Sequence, residues 1–140
     1  MANRNVFVDT SGLYALVEKK DSVHVAARMA VESVLRQGRR LVVTDYIVTE
    51  ALNLANSRSG TRVAVRVLDL LDQSSGISIE WIGQSRFDTT KAFFRRHGDH
   101  HYSFTDCTSF VVMRELRLSQ ALTTDGHFLE AGFEALLPTG

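Results

Sequence analysis

Four short acidic motifs punctuate this chain where apolar runs stop: Val8-Asp9-Thr10-Ser11, Thr49-Glu50-Ala51-Leu52, Thr105-Asp106-Cys107 and Thr124-Asp125-Gly126-His127-Phe128. Each acid falls where a strand ends or a helix begins. In parallel sheets, ligands gather beyond the carboxyl ends of the strands. Acids from distant parts of the chain would meet there. Carboxylates a few ångströms apart do not all ionise unaided; they bind a divalent cation or shift their pKa values upward. The motifs therefore point to metal chemistry on an anionic substrate.

The runs between the motifs alternate between strand and helix. Val6-Phe7-Val8 is a short buried strand ending at Asp9, and Ser11 to Val17 is a short helix. Asp21 or Ser22 caps a second helix through Val25, Met29, Val34 and Leu35, which stops at Gly38. Leu41 to Thr44 is the second strand, and Asp45 is placed to cap a helix running to about Asn56. Ser57 to Gly60 breaks it, and another helix follows to Asp72 or Gln73. Ile77 to Ile82 reads as a third strand, Ser85 caps a helix through Phe93 and Phe94, and Arg95 to His101 is a polar loop. Phe104 to Leu116 is an almost wholly apolar helix. Ala121 to Thr123 is a strand ending at Asp125, a short helix reaches Ala131, and Phe133 to Leu137 closes the sheet. This alternation predicts an α/β fold, a parallel sheet with helices on both faces.

With 140 residues, 44% of them hydrophobic, and a single proline at Pro138, the chain is expected to form one domain over residues 1–140. The lone Cys107 excludes an intramolecular disulfide framework and any CxxC metal site, and fits a reducing compartment. No apolar run approaches the ~18 residues of a membrane span. Met1-Ala2-Asn3-Arg4-Asn5 leads straight into Val6, which leaves no room for a signal peptide, so the cytoplasm is the expected location. Sixteen basic residues balance 16 acidic ones, which argues against coating nucleic acid by overall charge.

Each acid has a structural alternative. Asp is a good N-cap, but Ser11 can cap in place of Asp9. Glu50 lies at the border of an apolar helix sector, where a solvated glutamate is equally expected. Ser103-Phe104-Thr105-Asp106 resembles a capping box, yet Asp106 shares its face with Phe110 and Met113, and an acid buried there needs a cation or donors. Asp125 begins a turn, and its functional claim rests on register with Asp9. His127 is a plausible neighbour of the acidic site, whereas Phe128 and Cys107 read as core.

His97, His100 and His101, with Asp99 between them, mimic a zinc site in spacing only; HExxH is absent. No GxxxxGK[ST] or GxGxxG supports a nucleotide cofactor. Arg58, Arg62 and Arg66 form the best candidate phosphate patch, with Lys91, Arg95 and Arg96 as a second, against an ordinary solvated surface for both. The helices between Asp45 and Leu71 carry apolar residues over a wide sector, more than one sheet face needs, and a second copy is the commonest cover.

Taken together, Phe7-Val8-Asp9-Thr10-Ser11, Thr49-Glu50-Ala51-Leu52-Asn53, Ser103-Phe104-Thr105-Asp106-Cys107 and Thr124-Asp125-Gly126-His127-Phe128 resemble, in order and spacing, the PIN domain of VapC-type toxin ribonucleases. The resemblance covers essentially the whole chain. It implies a three-layer α/β/α domain with a five-stranded parallel sheet, and an acidic site of Asp9, Glu50, Asp106 and Asp125 assisted by Thr10 or Ser11. It further implies Mg²⁺ or Mn²⁺, an RNA substrate cut to 5′-phosphate and 3′-hydroxyl ends, a homodimer, and a cognate antitoxin protein whose tail occludes the site. On this reading Asp9 and Asp106 hold the principal ion, Glu50 orients water or supports a ligand, and Asp125 completes the cluster or a second ion site.

Other classes fit less well. A PIN nuclease of RNA processing rather than a toxin shares the same residues. A haloacid-dehalogenase-like phosphatase needs a second Asp where Ser11 stands. A receiver-like binding module needs adjacent acids near the first strand and a late lysine, and has neither.

Overall fold

In the computed structural model, which describes residues 3–140, strand and helix alternate along the chain. The expectation about a leader at Met1 and Ala2 lies outside those residues. The first half runs β1 (Asn3–Val8), α1 (Thr10–Val17), α2 (His24–Arg36), β2 (Leu41–Thr44), α3 (Asp45–Ser59) and α4 (Thr61–Gln73). The second half runs β3 (Ile77–Glu80), α5 (Gly83–Arg96), α6 (Phe104–Glu115), β4 (Leu118–Leu122), α7 (His127–Glu130) and β5 (Glu134–Ala135). A single 3-10 turn, Gly98–His100, precedes α6.

The five strands form one parallel sheet in the order β3-β2-β1-β4-β5. From β1 to β3 the chain moves one way across the sheet, then returns past β1 to β4. Right-handed crossovers place α1 to α4 on one face and α5 to α7 on the other. The packing agrees: α1 meets α2, α3 and α4, and α5 meets α6. Phe7 sends its ring to the second face, against Phe128, which meets Phe110 edge-on at 4.9 Å. The direction of travel reverses between β1 and β4, so the crevice of this sheet opens between their carboxyl ends.

Several boundaries differ from the sequence-based reading. Asp21 does not cap α2; it accepts from the Val23 N–H at 2.9 Å, and α2 begins at His24 without a side-chain cap. Thr44, not Asp45, caps α3, its hydroxyl accepting from the Ile47 N–H at 3.1 Å. The extended backbone at Thr44 suits an N-cap, while Asp45 is already helical and turns elsewhere. The helix outlasts Asn56 and ends at Gly60, whose φ of +94° only glycine adopts without strain. Ser85 does not cap α5, which starts two residues earlier at Gly83. Arg95 and Arg96 finish that helix instead of opening a loop, where cations favour the C-terminal end of the helix dipole. β4 starts at Leu118 because β1 extends back to Asn3 to pair with it, and β5 shrinks to two residues.

Gly12, the second residue after Thr10 in α1, has the least room for a side chain of any glycine among the described residues. A Cβ there would overlap the carbonyl group of Leu122, so only glycine lets α1 sit directly on the end of β4. Among the described residues no helix is long and apolar enough to cross a membrane.

Candidate active site

Asp9 follows the last residue of β1 and sits in extended backbone as the N-cap of α1, where its Oδ1 accepts from the Gly12 N–H at 3.0 Å. The cap is therefore Asp9 and not Ser11. Ser11 instead donates its hydroxyl to Asp9 Oδ1 at 2.7 Å and accepts from the Thr124 N–H at 3.0 Å. Capping does not exclude a site role, because the second carboxylate oxygen is held separately. Asp9 Oδ2 accepts from the Thr123 hydroxyl at 2.8 Å, and the same hydroxyl accepts from the Asp125 N–H at 2.9 Å. Asp9 and Asp125, from adjacent strand ends, are thus joined through one buried threonine.

Asp106 does form the capping box its sequence resembles. Its Oδ2 accepts from the Ser103 N–H at 3.1 Å, and Ser103 Oγ accepts from the Asp106 N–H at 2.9 Å. The same Oδ2 lies 3.2 Å from His127 Nδ1, which lies 3.5 Å from Asp125 Oδ1. Asp125 in turn accepts from the His127 N–H at 2.9 Å, so α7 begins as a turn built on that carboxylate. Asp106, Asp125 and His127 can each offer one ligand atom, all within 4.8 Å of one another. Tyr102 supports the imidazole edge-on at 5.3 Å.

The electrostatics follow from burial. Asp9 is almost fully enclosed, and loss of solvation pushes its carboxyl from 3.8 up to about 6. The bonds from Gly12, Ser11 and Thr123 oppose that rise, and the charge of Asp125 adds to it. Asp106 is also raised, first by burial and further by Asp125. Two acids raised by enclosure, with Asp125 adding to both, would be relieved by a bound cation. The donor set fits a divalent ion: hard carboxylate oxygens that suit Mg²⁺ or Mn²⁺, with one imidazole that Mn²⁺ accepts readily.

Among the described residues, Glu50 lies outside the Asp106–Asp125–His127 group, and its one side-chain hydrogen bond is to a neighbour of Asp9. Thr10, the residue after Asp9, donates its hydroxyl to Glu50 Oε1 at 2.6 Å. Glu50 is exposed and lines a cavity of about 410 Å³ together with Asp45, Tyr46, Thr49, Asn53 and Thr105. Asp45 forms part of that wall by accepting from the Ile82 N–H at 2.8 Å, which ties the start of α3 to the end of β3.

The remaining candidates lie elsewhere. Arg58, Arg62 and Arg66 are exposed on α3 and α4, and the pKa of Glu18, just past α1, is lowered first by a hydrogen bond with Ser59 and in small part by the charge of Arg66. Among the described residues no hydrogen bond or ion pair joins these arginines to the carboxylates. His97 stacks on Phe93 at 4.0 Å with Nδ1 on the Phe93 carbonyl, and His100 stacks on Tyr102 at 4.9 Å. Neither belongs to the Asp106–Asp125–His127 group, and Cys107 is a buried free thiol pushed up to about 11 by its enclosure.

Two residues of the site escape the motif reading. Thr123 looks like the last residue of an apolar strand, yet the pairing of Val8 with Leu122 sets it beside Asp9. Gly12 looks like a weak point in a helix until β4 is placed against it. Strand register is the signal for both, and register is not visible along one chain.

The model of the PIN domain family matches residues 6–134. The 23S rRNA-specific endonuclease VapC20 of Mycobacterium tuberculosis is 31% identical over 133 residues, covering 95% of this chain and 98% of that protein, in two strains. The crystal structure of M. tuberculosis VapC20, described as a Sarcin-Ricin loop cleaving toxin, superposes with a TM-score of 0.80 at 29% identity, covering 92% of this chain and 96% of that one. FitAcB from Neisseria gonorrhoeae shares the fold, with a TM-score of 0.63 at 12% identity over 95% and 97% of the two chains. Sequence, fold and the acids at the strand ends agree: the chain belongs to the PIN domain family.

Proposed function

We propose that this chain, as a single domain over residues 1–140, is a Mg²⁺- or Mn²⁺-dependent endoribonuclease and the toxin of a toxin–antitoxin pair. The observation that carries this reading is the convergence of Asp106, Asp125 and His127 within ligand distance, linked through Thr123 to the buried Asp9. A bound divalent ion there would be held by Asp9, Asp106 and Asp125, with His127 beside them, and would neutralise charge on the scissile phosphodiester.

The chain's own groups prepare the rest. Ser11 and Thr123 hold the two oxygens of Asp9 in fixed directions. Thr10 holds Glu50 at the mouth of the cavity, where the carboxylate orients a water and takes its proton as the phosphodiester is attacked. His127, held between two carboxylates, keeps Asp106 and Asp125 from separating. Arg58, Arg62 and Arg66 supply phosphate contacts to RNA outside the reacting centre.

A homodimer or a bound antitoxin would draw on apolar surface. Val25, Met29 and Leu35 on α2 and Val65 and Leu68 on α4 are exposed. The specificity of the relative for 23S rRNA supports ribosomal RNA as the first substrate to test on this chain. Incubating ribosomal RNA with the protein and Mg²⁺ or Mn²⁺, then mapping fragment ends, tests the reading. Discrete 5′-phosphate ends, absent with Asp9→Asn, are expected; intact RNA under every metal condition would refute it.

A further inference from the structure

Trp81 is the only tryptophan of the chain, and it stands 68% exposed one residue past the end of β3. Its position is informative. Val42 faces Phe7 and Thr44 faces Glu80, so Asp9, Thr44 and Glu80 are level along the carboxyl edge of the sheet. Trp81 therefore leaves the same edge as the carboxylates, two strand spacings or roughly 10 Å from Asp9 in backbone terms. A cavity lined by Asp45, Tyr46, Thr49, Glu50, Asn53 and Thr105, none of them cationic, is tied to both ends of this edge, through Thr10 to Glu50 and through the Ile82 N–H to Asp45. Tyr46, Thr49, Asn53 and Thr105 offer a ring and neutral polar groups to a base there.

The backbone that carries Trp81 is held rigidly. Arg86 donates to the Trp81 carbonyl at 3.0 Å and to Glu80 at 2.9 Å, and is itself fixed by Glu115 at 2.9 Å. On the other side, Asp45 accepts from the Ile82 N–H. The ring is thus presented from a fixed backbone beside the charged Arg86 and Glu80, with the exposed Phe87 and Phe94 on the helix that follows. A rigid aromatic beside a strand-end cleft is how proteins stack unpaired bases, with little sequence preference.

Building on the nuclease reading, we propose that Trp81 is a stacking platform for one unpaired nucleobase of the RNA, a nucleotide or two from the scissile bond. It positions the strand across the carboxylates. A protein partner seated on the same ring is the competing occupant, and the two differ in what they do to the indole.

Because Trp81 is the sole indole, its emission reports the contact directly. The Asp125→Asn protein is titrated with a short single-stranded RNA, with the same RNA made abasic at its centre, and with its duplex. Binding is followed separately through a dye on the RNA. Saturable quenching by the single strand is expected, with much weaker quenching by the abasic and duplex forms. Trp81→Ala should weaken single-strand binding roughly 5- to 150-fold, and Trp81→Phe should retain part of it. In the cleaving enzyme the same changes should fall on KM more than on kcat. RNA binding with unchanged emission, together with unaltered KM in Trp81→Ala, would overturn the platform and leave the nuclease standing. Conversion of Trp81→Ala from dimer to monomer with RNA affinity unchanged would assign the ring to a protein contact. RNA neither bound nor cut by the unmodified chain would remove the nuclease reading and the platform with it.

Discussion

Thr123 donates its hydroxyl to Asp9 Oδ2 at 2.8 Å while accepting from the Asp125 backbone N–H, so one buried side chain sets the spacing of two carboxylates from neighbouring strands. Thr123→Val keeps the shape and removes both bonds. It strips Asp9 of a bond that lowers its pKa and leaves the Asp125 N–H without its hydroxyl acceptor. The expected cost is about 1–3 kcal/mol of stability. RNA cleavage should fall by at least about tenfold, since misplaced ligands weaken metal binding. Thermal melts and cleavage rates check both, and an unchanged rate would show that Thr123 does not position Asp9.

The raised pKa of Asp9 makes the metal-free protein sensitive to pH. The folded value of about 6 lies above the ordinary 3.8, so between those values the folded state holds a proton the unfolded chain has released. This contribution to stability is full below about pH 4 and is lost as pH rises through 6, about 3 kcal/mol in all. Asp9→Asn keeps a good N-cap and removes the charge. Without divalent ion it should melt higher than the unmodified protein at pH 7.5, with the gap about halved at pH 5 and gone only near pH 4. Equal destabilisation at both pH values would mean that the carboxylate serves the cap alone.

Gly12→Ala should be among the most damaging single changes in the chain. The added methyl collides with the Leu122 backbone, which has no flexible end to swing away. Relief requires α1 to lift from β4, carrying Asp9 and Thr10 with it. A large drop in melting temperature with loss of cleavage is expected; a mutant of ordinary stability would show that α1 tolerates the shift.

Arg62→Ala with Arg66→Ala tests the RNA path. Two lost phosphate contacts should weaken single-strand binding and reduce the slope of log K against log salt by roughly 1.4. Filter binding between low and moderate salt measures it. Identical affinity and slope would make these arginines solvated surface.

Much of the site was legible because its acids sit at ends of elements, where local sequence marks the strand stop. Val6-Phe7-Val8 before Asp9, and the capping box of Ser103 and Asp106, can be read from a few adjacent residues. What escaped depends on neighbours across the sheet. Whether Thr44 or Asp45 caps α3 turns on Asp45 having the Ile82 N–H to bind, a residue 37 positions away. Thr123 and Gly12 matter only once β4 lies beside β1. The last turn of α5 looks like loop in the sequence because Arg95 and Arg96 are polar, although they are good helix formers placed at the favourable end.

The most direct test of a carboxylate metal centre is a calorimetric titration of Mn²⁺ into the unmodified protein and into Asp125→Asn, with cleavage of ribosomal RNA followed on the same preparations. Saturable binding and metal-dependent cleavage by the first, and loss of both by a second that melts no lower without metal, are expected. Full cleavage by Asp125→Asn, or cleavage by the unmodified protein that persists in excess chelator, would contradict a site built on these acids.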